Sequence, residues 1–158
     1  MTGETHRSIT LGRIDEGVYL ARNARGGELR FGSKAGEGFT PTELLLVAIA
    51  GCSAVDVDVV TGRRSPAAGF AARVDAEMVR DETGNRLSDI RLTFQITFPE
   101  GEAGDAAREM LPRAAKVSHD RTCTVTRTIE AGTPVTVALE SSGPRPSHHP
   151  QQRPSHHA

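Results

Sequence analysis

Hydrophobic and polar positions first alternate in short runs. Ser8-Ile9-Thr10-Leu11 and Gly17-Val18-Tyr19-Leu20-Ala21, with turn residues over 23–27, read as a β-meander spanning 7–31. The pattern then becomes an almost continuous apolar run. Thr40 is a good N-cap, Pro41 suits the first helical position and Glu43 sits where a capping-box carboxylate reaches back, so a helix starts here and stops near Gly62. Its apolar residues fall on nearly every side. Leu45, Ala48, Ile49, Cys52, Val55, Asp56 and Val59 share one stripe, and Leu46, Val47, Ala50 and Val57 lie opposite. Such a helix is expected to be buried on all sides, at the centre of the fold or of an oligomer. Asp56 and Asp58 end the run 44–55 before the roughly 20 residues a membrane span needs, so a core helix is expected.

Alternation returns over 69–80 and 86–98, with Asp81-Glu82-Thr83-Gly84-Asn85 as the turn of a hairpin. A second helix is expected over 103–117, kinked or split by Pro112, and two closing strands over 123–130 and 135–140. Strands, helix, strands, helix, strands without regular βαβ alternation predict an α+β fold with antiparallel sheet. Apolar periodicity is lost over 143–158, which hold four of the nine prolines and four of the six histidines. This stretch is expected to be a disordered tail behind a single folded domain, 1–142.

Composition adds mainly exclusions. The chain has 158 residues, 37% hydrophobic and 25% charged, as expected of one soluble domain. Nineteen basic and 20 acidic residues give a net charge of −1; without Arg145 and Arg153 of the tail they become 17 and 20, a body charge of −3. No electrostatic footprint of a nucleic-acid or anionic-membrane binder is present, and neither partner is expected. The first residues lack a basic segment followed by an apolar one, which points to the cytoplasm. Phosphate-binding glycine loops, zinc motifs and serine-hydrolase motifs are absent, and no cofactor or metal is implied.

Two cysteines are too few for a disulfide scaffold. Cys52 lies mid-way along the first helix, where a cysteine is by base rate a small inert hydrophobe. Cys123 lies at an element boundary among His119, Asp120 and Arg121. The two are 71 positions apart, a spacing compatible with contact or with separation.

The residues around both cysteines resemble a known family. The run from Pro41 through Gly51-Cys52-Ser53-Ala54-Val55-Asp56 is similar to the first signature of the OsmC/Ohr family, and Ala114-Ala115-Lys116-Val117-Ser118-His119-Asp120-Arg121-Thr122-Cys123 to the second. Gly-Cys-Ser-Ala-Val-Asp is closer to the OsmC-like branch of uncertain function than to the organic hydroperoxide resistance enzymes. The resemblance spans about 7–142 and implies an intertwined α+β homodimer, with antiparallel sheets packed around two central helices. It also implies a thiol peroxidase acting on organic hydroperoxides. Cys52 is then the attacking thiolate that becomes a sulfenic acid, Cys123 the partner that closes a disulfide, and an external dithiol the reductant.

An apolar pocket raises a thiol pKa, so a cation must oppose it; in the family this is an arginine. Arg30, in Arg30-Phe31-Gly32 ahead of Gly38-Phe39-Thr40-Pro41, matches that position best. Arg22 and Arg25 are alternatives, and a solvated strand arginine is the plain reading. One departure stands out: the family glutamate that orients the arginine follows the signature proline, and here that position is Thr42. Glu43, nine residues before Cys52, falls on the opposite helix face and is explained by capping. Asp56, one turn beyond Cys52, would raise the thiol pKa if held close to it; His119 reads first as a surface loop histidine, with a role as local base for Cys123 as the alternative. The competing reading is a non-catalytic dimer of the same fold that binds a small apolar ligand in its interfacial pocket.

Overall fold

The computed structural model describes residues 5–33 and 38–140. The tail expected over 143–158 lies outside the described residues. The meander is a three-stranded antiparallel sheet of β1 (Ile9–Asp15), β2 (Val18–Asn23) and β3 (Glu28–Gly32), in sequence order. Leu11 pairs with Ala21, and Leu20 with Arg30. The β2–β3 turn closes on Asn23, whose Oδ1 accepts from the amides of Arg25 (2.9 Å) and Gly27 (3.0 Å). A side chain at Gly27 would collide with that asparagine, so the turn requires glycine there.

Helix α1 runs Pro41–Gly62 and starts as its sequence predicts. The Glu43 amide donates to Thr40 Oγ1 (3.3 Å), and the Thr40 amide donates to Glu43 Oε2 (2.7 Å). These bonds from Thr40 hold the Glu43 carboxyl below its ordinary value. Next come β4 (Gly69–Asp81) and β5 (Gly84–Thr97), a long antiparallel hairpin. Its turn needs only Glu82 and Thr83. Asp81 accepts from the Thr83 amide (2.8 Å), Thr83 Oγ1 (2.6 Å) and Arg86 Nε (2.8 Å), which holds its carboxyl down to about 2.

Helix α2 (Glu102–Val117) continues through Pro112 rather than splitting. Its start presses on the end of the hairpin, where a side chain at Gly104 would clash with the Pro99 carbonyl. Its buried residues are small, Ala107 and Ala114, and let it lie close against α1. A π-helical turn, Ser118–Thr122, follows, then α3 (Thr124–Glu130).

The closing strands are not formed. Residues 124–130 carry a β-favouring pattern, yet they are helical: the Cys123 sulfur caps them by accepting from the Thr126 amide. Thr128 Oγ1 donates to the Thr124 carbonyl at 2.7 Å, which satisfies its hydroxyl within the helix. Residues 133–140 pair with no described strand, and Val135, Val137 and Leu139 are 89%, 82% and 95% exposed.

Within one chain, helix α1 is buried along one face only, which leaves the rest of the expected burial to an oligomer. Its buried face is Ile49, Ser53, Val57 and Thr61, one residue per turn, while Leu45, Val47, Val55 and Val59 are exposed. The whole helix, longer than the run 44–55, is long and apolar enough by length and composition to cross a membrane. Here it packs against α2, β4 and α3, and Asp56 on it is hydrogen-bonded to the turn before Cys123.

Candidate functional site

The fold brings the two cysteines together. Cys52 is half-buried near the middle of α1, Cys123 is fully buried at the junction of the π-helical turn and α3, and both are free thiols. Each thiol shifts the pKa of the other, so the two sulfurs are near enough to interact. Cys123 Sγ also accepts from Ser53 Oγ (3.4 Å) and from the Thr126 amide (3.4 Å), and donates to Thr126 Oγ1 (3.2 Å).

These contacts make the sulfurs unequal. Burial is the largest influence on Cys52 and pushes its pKa up; the Cys123 thiol adds to this, and the amides of Val125 and Thr124 oppose it. Burial is also the largest influence on Cys123 and pushes upward, but the hydrogen bonds from Ser53 and Thr126, with the influence of Cys52, together outweigh it and leave its pKa lowered.

Asp56 fixes this geometry from one helical turn away. Its Oδ2 accepts from Ser118 Oγ (2.9 Å) and Thr122 Oγ1 (2.7 Å), at the two ends of the turn that leads into Cys123. Ser118 in turn accepts the Cys123 amide on its carbonyl at 2.8 Å. The carboxylate expected to raise the Cys52 pKa is therefore engaged by two hydroxyls. The influences on Cys52 are burial, Cys123 and the α3 amides.

His119 is not the base of Cys123. Its Nδ1 lies 2.9 Å from Asp120 Oδ1 and its Nε2 3.0 Å from Glu130 Oε1. Asp120 first, and Glu130 with it, raise its pKa and favour the protonated ring. Asp120, bonded to His119 and Lys116, is held down to about 2. Beside this pair is a cavity of about 330 Å³ walled by Ile49, Ile90, Leu92, Phe94 and Ile129. Ser53 and Thr126, the donors to Cys123, also line it.

Arg30 is exposed on β3, opposite Leu20. Arg22 pairs with Glu28 at 2.6 Å, and Arg25 sits in the β2–β3 turn. Within one chain the N-terminal sheet makes few contacts with the rest, and the link 34–37 to α1 lies outside the described residues. Among the described residues no three His, Cys, Asp or Glu side chains gather as metal ligands.

Ser53, Ser118, Thr122 and Thr126 went unrecognised in the sequence. For Thr126 a signal exists: Cys-x-x-Thr is N-cap-to-N3 spacing, readable only once 124–130 is taken as a helix.

Residues 33–138 match the family described as OsmC-like protein. The chain belongs to the OsmC family. An uncharacterised protein of Mycobacterium tuberculosis is 31% identical over 129 residues, covering 79% of this chain and 90% of that protein, and a Mycobacterium bovis protein matches equally. Among solved structures, a hypothetical protein of Aquifex aeolicus has a TM-score of 0.64 at 22% identity, covering 81% of this chain and 89% of its own. An OsmC-like protein of unknown function from Vibrio cholerae has a TM-score of 0.63 at 9% identity, over 80% and 94%. Both likenesses carry the OsmC fold: mixed α+β, antiparallel sheets and helices in this order.

Proposed function

We propose that this OsmC-family chain is a two-cysteine peroxidase for organic hydroperoxides. The observation that carries this reading is two free thiols close enough to shift one another's pKa, with Ser53 and Thr126, the donors to Cys123, lining a largely apolar cavity. Cys52, half-buried, is the sulfur a peroxide can reach. As thiolate it attacks one oxygen of the O–O bond; the bond's electron pair leaves on the other oxygen, which takes a proton and departs as the alcohol. Cys52 is then a sulfenic acid. The Cys123 thiolate attacks that sulfur, hydroxide leaves and is protonated to water, and a Cys52–Cys123 disulfide remains for an external dithiol to reduce.

Burial disfavours the Cys52 thiolate, so the first step needs a cation, and Arg30 is the residue we assign to that role. The exposed apolar stripe of α1 supports a homodimer, in which a second copy covers that stripe and completes the approach to Cys52. Two free thiols suit a reducing compartment, which supports the cytoplasm.

The test is stoichiometric cumene hydroperoxide followed by peptide mapping of thiols. Loss of both free thiols with a Cys52–Cys123 disulfide peptide is expected; two intact thiols beside a consumed control peroxidase would sink the reading. Arg30→Ala is expected to slow thiol loss at least about tenfold.

Thr42 in the family glutamate's place, with the raised Cys52 pKa, favours a second reading: a non-catalytic dimer that binds a small apolar ligand. Persistent hydroperoxide consumption that disappears in Cys52→Ser excludes it.

A further inference from the structure

We infer that the Cys52–Cys123 disulfide opens in one direction: an external dithiol attacks Cys52 Sγ, and Cys123 Sγ leaves. This rests on the two-cysteine cycle proposed above and adds the polarity of its reductive half. The geometry around the sulfurs carries it. Within one chain Cys123 has no exposed surface, whereas Cys52 is half-buried, so a thiol that reaches the site meets Cys52 first. On the far side, Ser53 Oγ and the Thr126 amide already donate to Cys123 Sγ, each at 3.4 Å. Both donors sit on helices, α1 and α3, and are in place before any charge develops on that sulfur.

The electrons move accordingly. The dithiol's thiolate forms a bond to Cys52 Sγ, the Cys52–Cys123 bond breaks, and its electron pair stays on Cys123 Sγ as a thiolate, stabilised by the hydrogen bonds that Ser53 and the Thr126 amide donate. The second thiol of the reductant, as thiolate, then attacks the external sulfur of the mixed disulfide. Cys52 is released as a thiolate that takes a proton from water, and the reductant departs as its own disulfide. Exchange is faster the better the leaving thiolate is stabilised, so attack at Cys52 is favoured by both access and leaving group. Attack at Cys123 lacks both advantages: the target is buried, and the departing sulfur is Cys52, whose pKa is left raised, while the Ser53 and Thr126 hydrogen bonds go to Cys123.

The test needs no peroxide. The full-length protein is oxidised with diamide, opened with glutathione as a monothiol probe, quenched by alkylation, and mapped by mass. Glutathione on Cys52 in at least about tenfold excess over Cys123 is expected; an equal share, or more on Cys123, overturns the inference. So does failure of diamide to close the disulfide. Ser53→Ala removes one donor with little change of volume, and is expected to slow the opening roughly three- to tenfold while the mixed disulfide still forms on Cys52. An unchanged rate in a variant that melts like the parent also overturns it. If cumene hydroperoxide leaves the thiols intact but diamide closes the disulfide, only the peroxidase reading fails, and the direction of opening is still measured.

Discussion

Ser53 is one residue from Cys52 in sequence but serves the other cysteine, because consecutive helical positions point about 100° apart. Cys52 faces the approach from solvent and Ser53 faces the core, where its hydroxyl meets Cys123 Sγ. Ser53→Ala is therefore expected to raise the pKa of Cys123, and pH-dependent alkylation of that cysteine should shift its midpoint upward. His119 gives a prediction of opposite form. Its folded pKa is raised above 6.5 by Asp120 and Glu130, so its contribution to stability is fully present below about 6.5 and lost as pH rises through the folded value. Urea unfolding of the parent and of His119→Gln over a pH series should show a gap that is widest in mild acid and closes toward alkaline pH. Asp120, held down to about 2, stays ionised across that range and keeps the pair intact.

At the scale of elements, the hydrogen bonds from Ser118 and Thr122 to Asp56 decide where the π-helical turn sits on α1. Asp56→Ala leaves the buried Ser118 hydroxyl without its acceptor and should cost about 2–3 kcal/mol in chemical denaturation, with Asp56→Asn recovering part of it. The same substitution should slow diamide closure of the disulfide, because the turn that delivers Cys123 is no longer anchored. Thr40→Ala, at the N-cap of α1, should cost about 1 kcal/mol. That helix start was legible in sequence because cap, proline and glutamate act within four residues. The meander and the hairpin were legible for the same reason, through alternation and local turn chemistry. Residues 124–130 are helical against their β-favouring pattern because the Cys123 cap is held in place from α1, remote in sequence. The contact between the cysteines was likewise invisible to spacing and entered only through resemblance, while the four hydroxyls that arrange them gave almost no signal.

For the molecule as a whole, the apolar surface outside one chain is as informative as its core. Leu45, Val55 and Val59 mark a stripe on α1, with Val47 exposed on another side, and Val135, Val137 and Leu139 form an alternating row without a strand partner among the described residues. Sedimentation should give twice the chain mass, and Val55→Asp with Val59→Asp should shift it toward one. The described core of a single chain is modest: Val57 and Ile49 share the inner face of α1 with the hydroxyls of Ser53 and Thr61. A chain whose interior is so thin and whose exterior is so apolar has little reason to fold before it associates. Its melting temperature should then climb with protein concentration, each copy stabilising the next by mass action, and dilution alone should act as a denaturant.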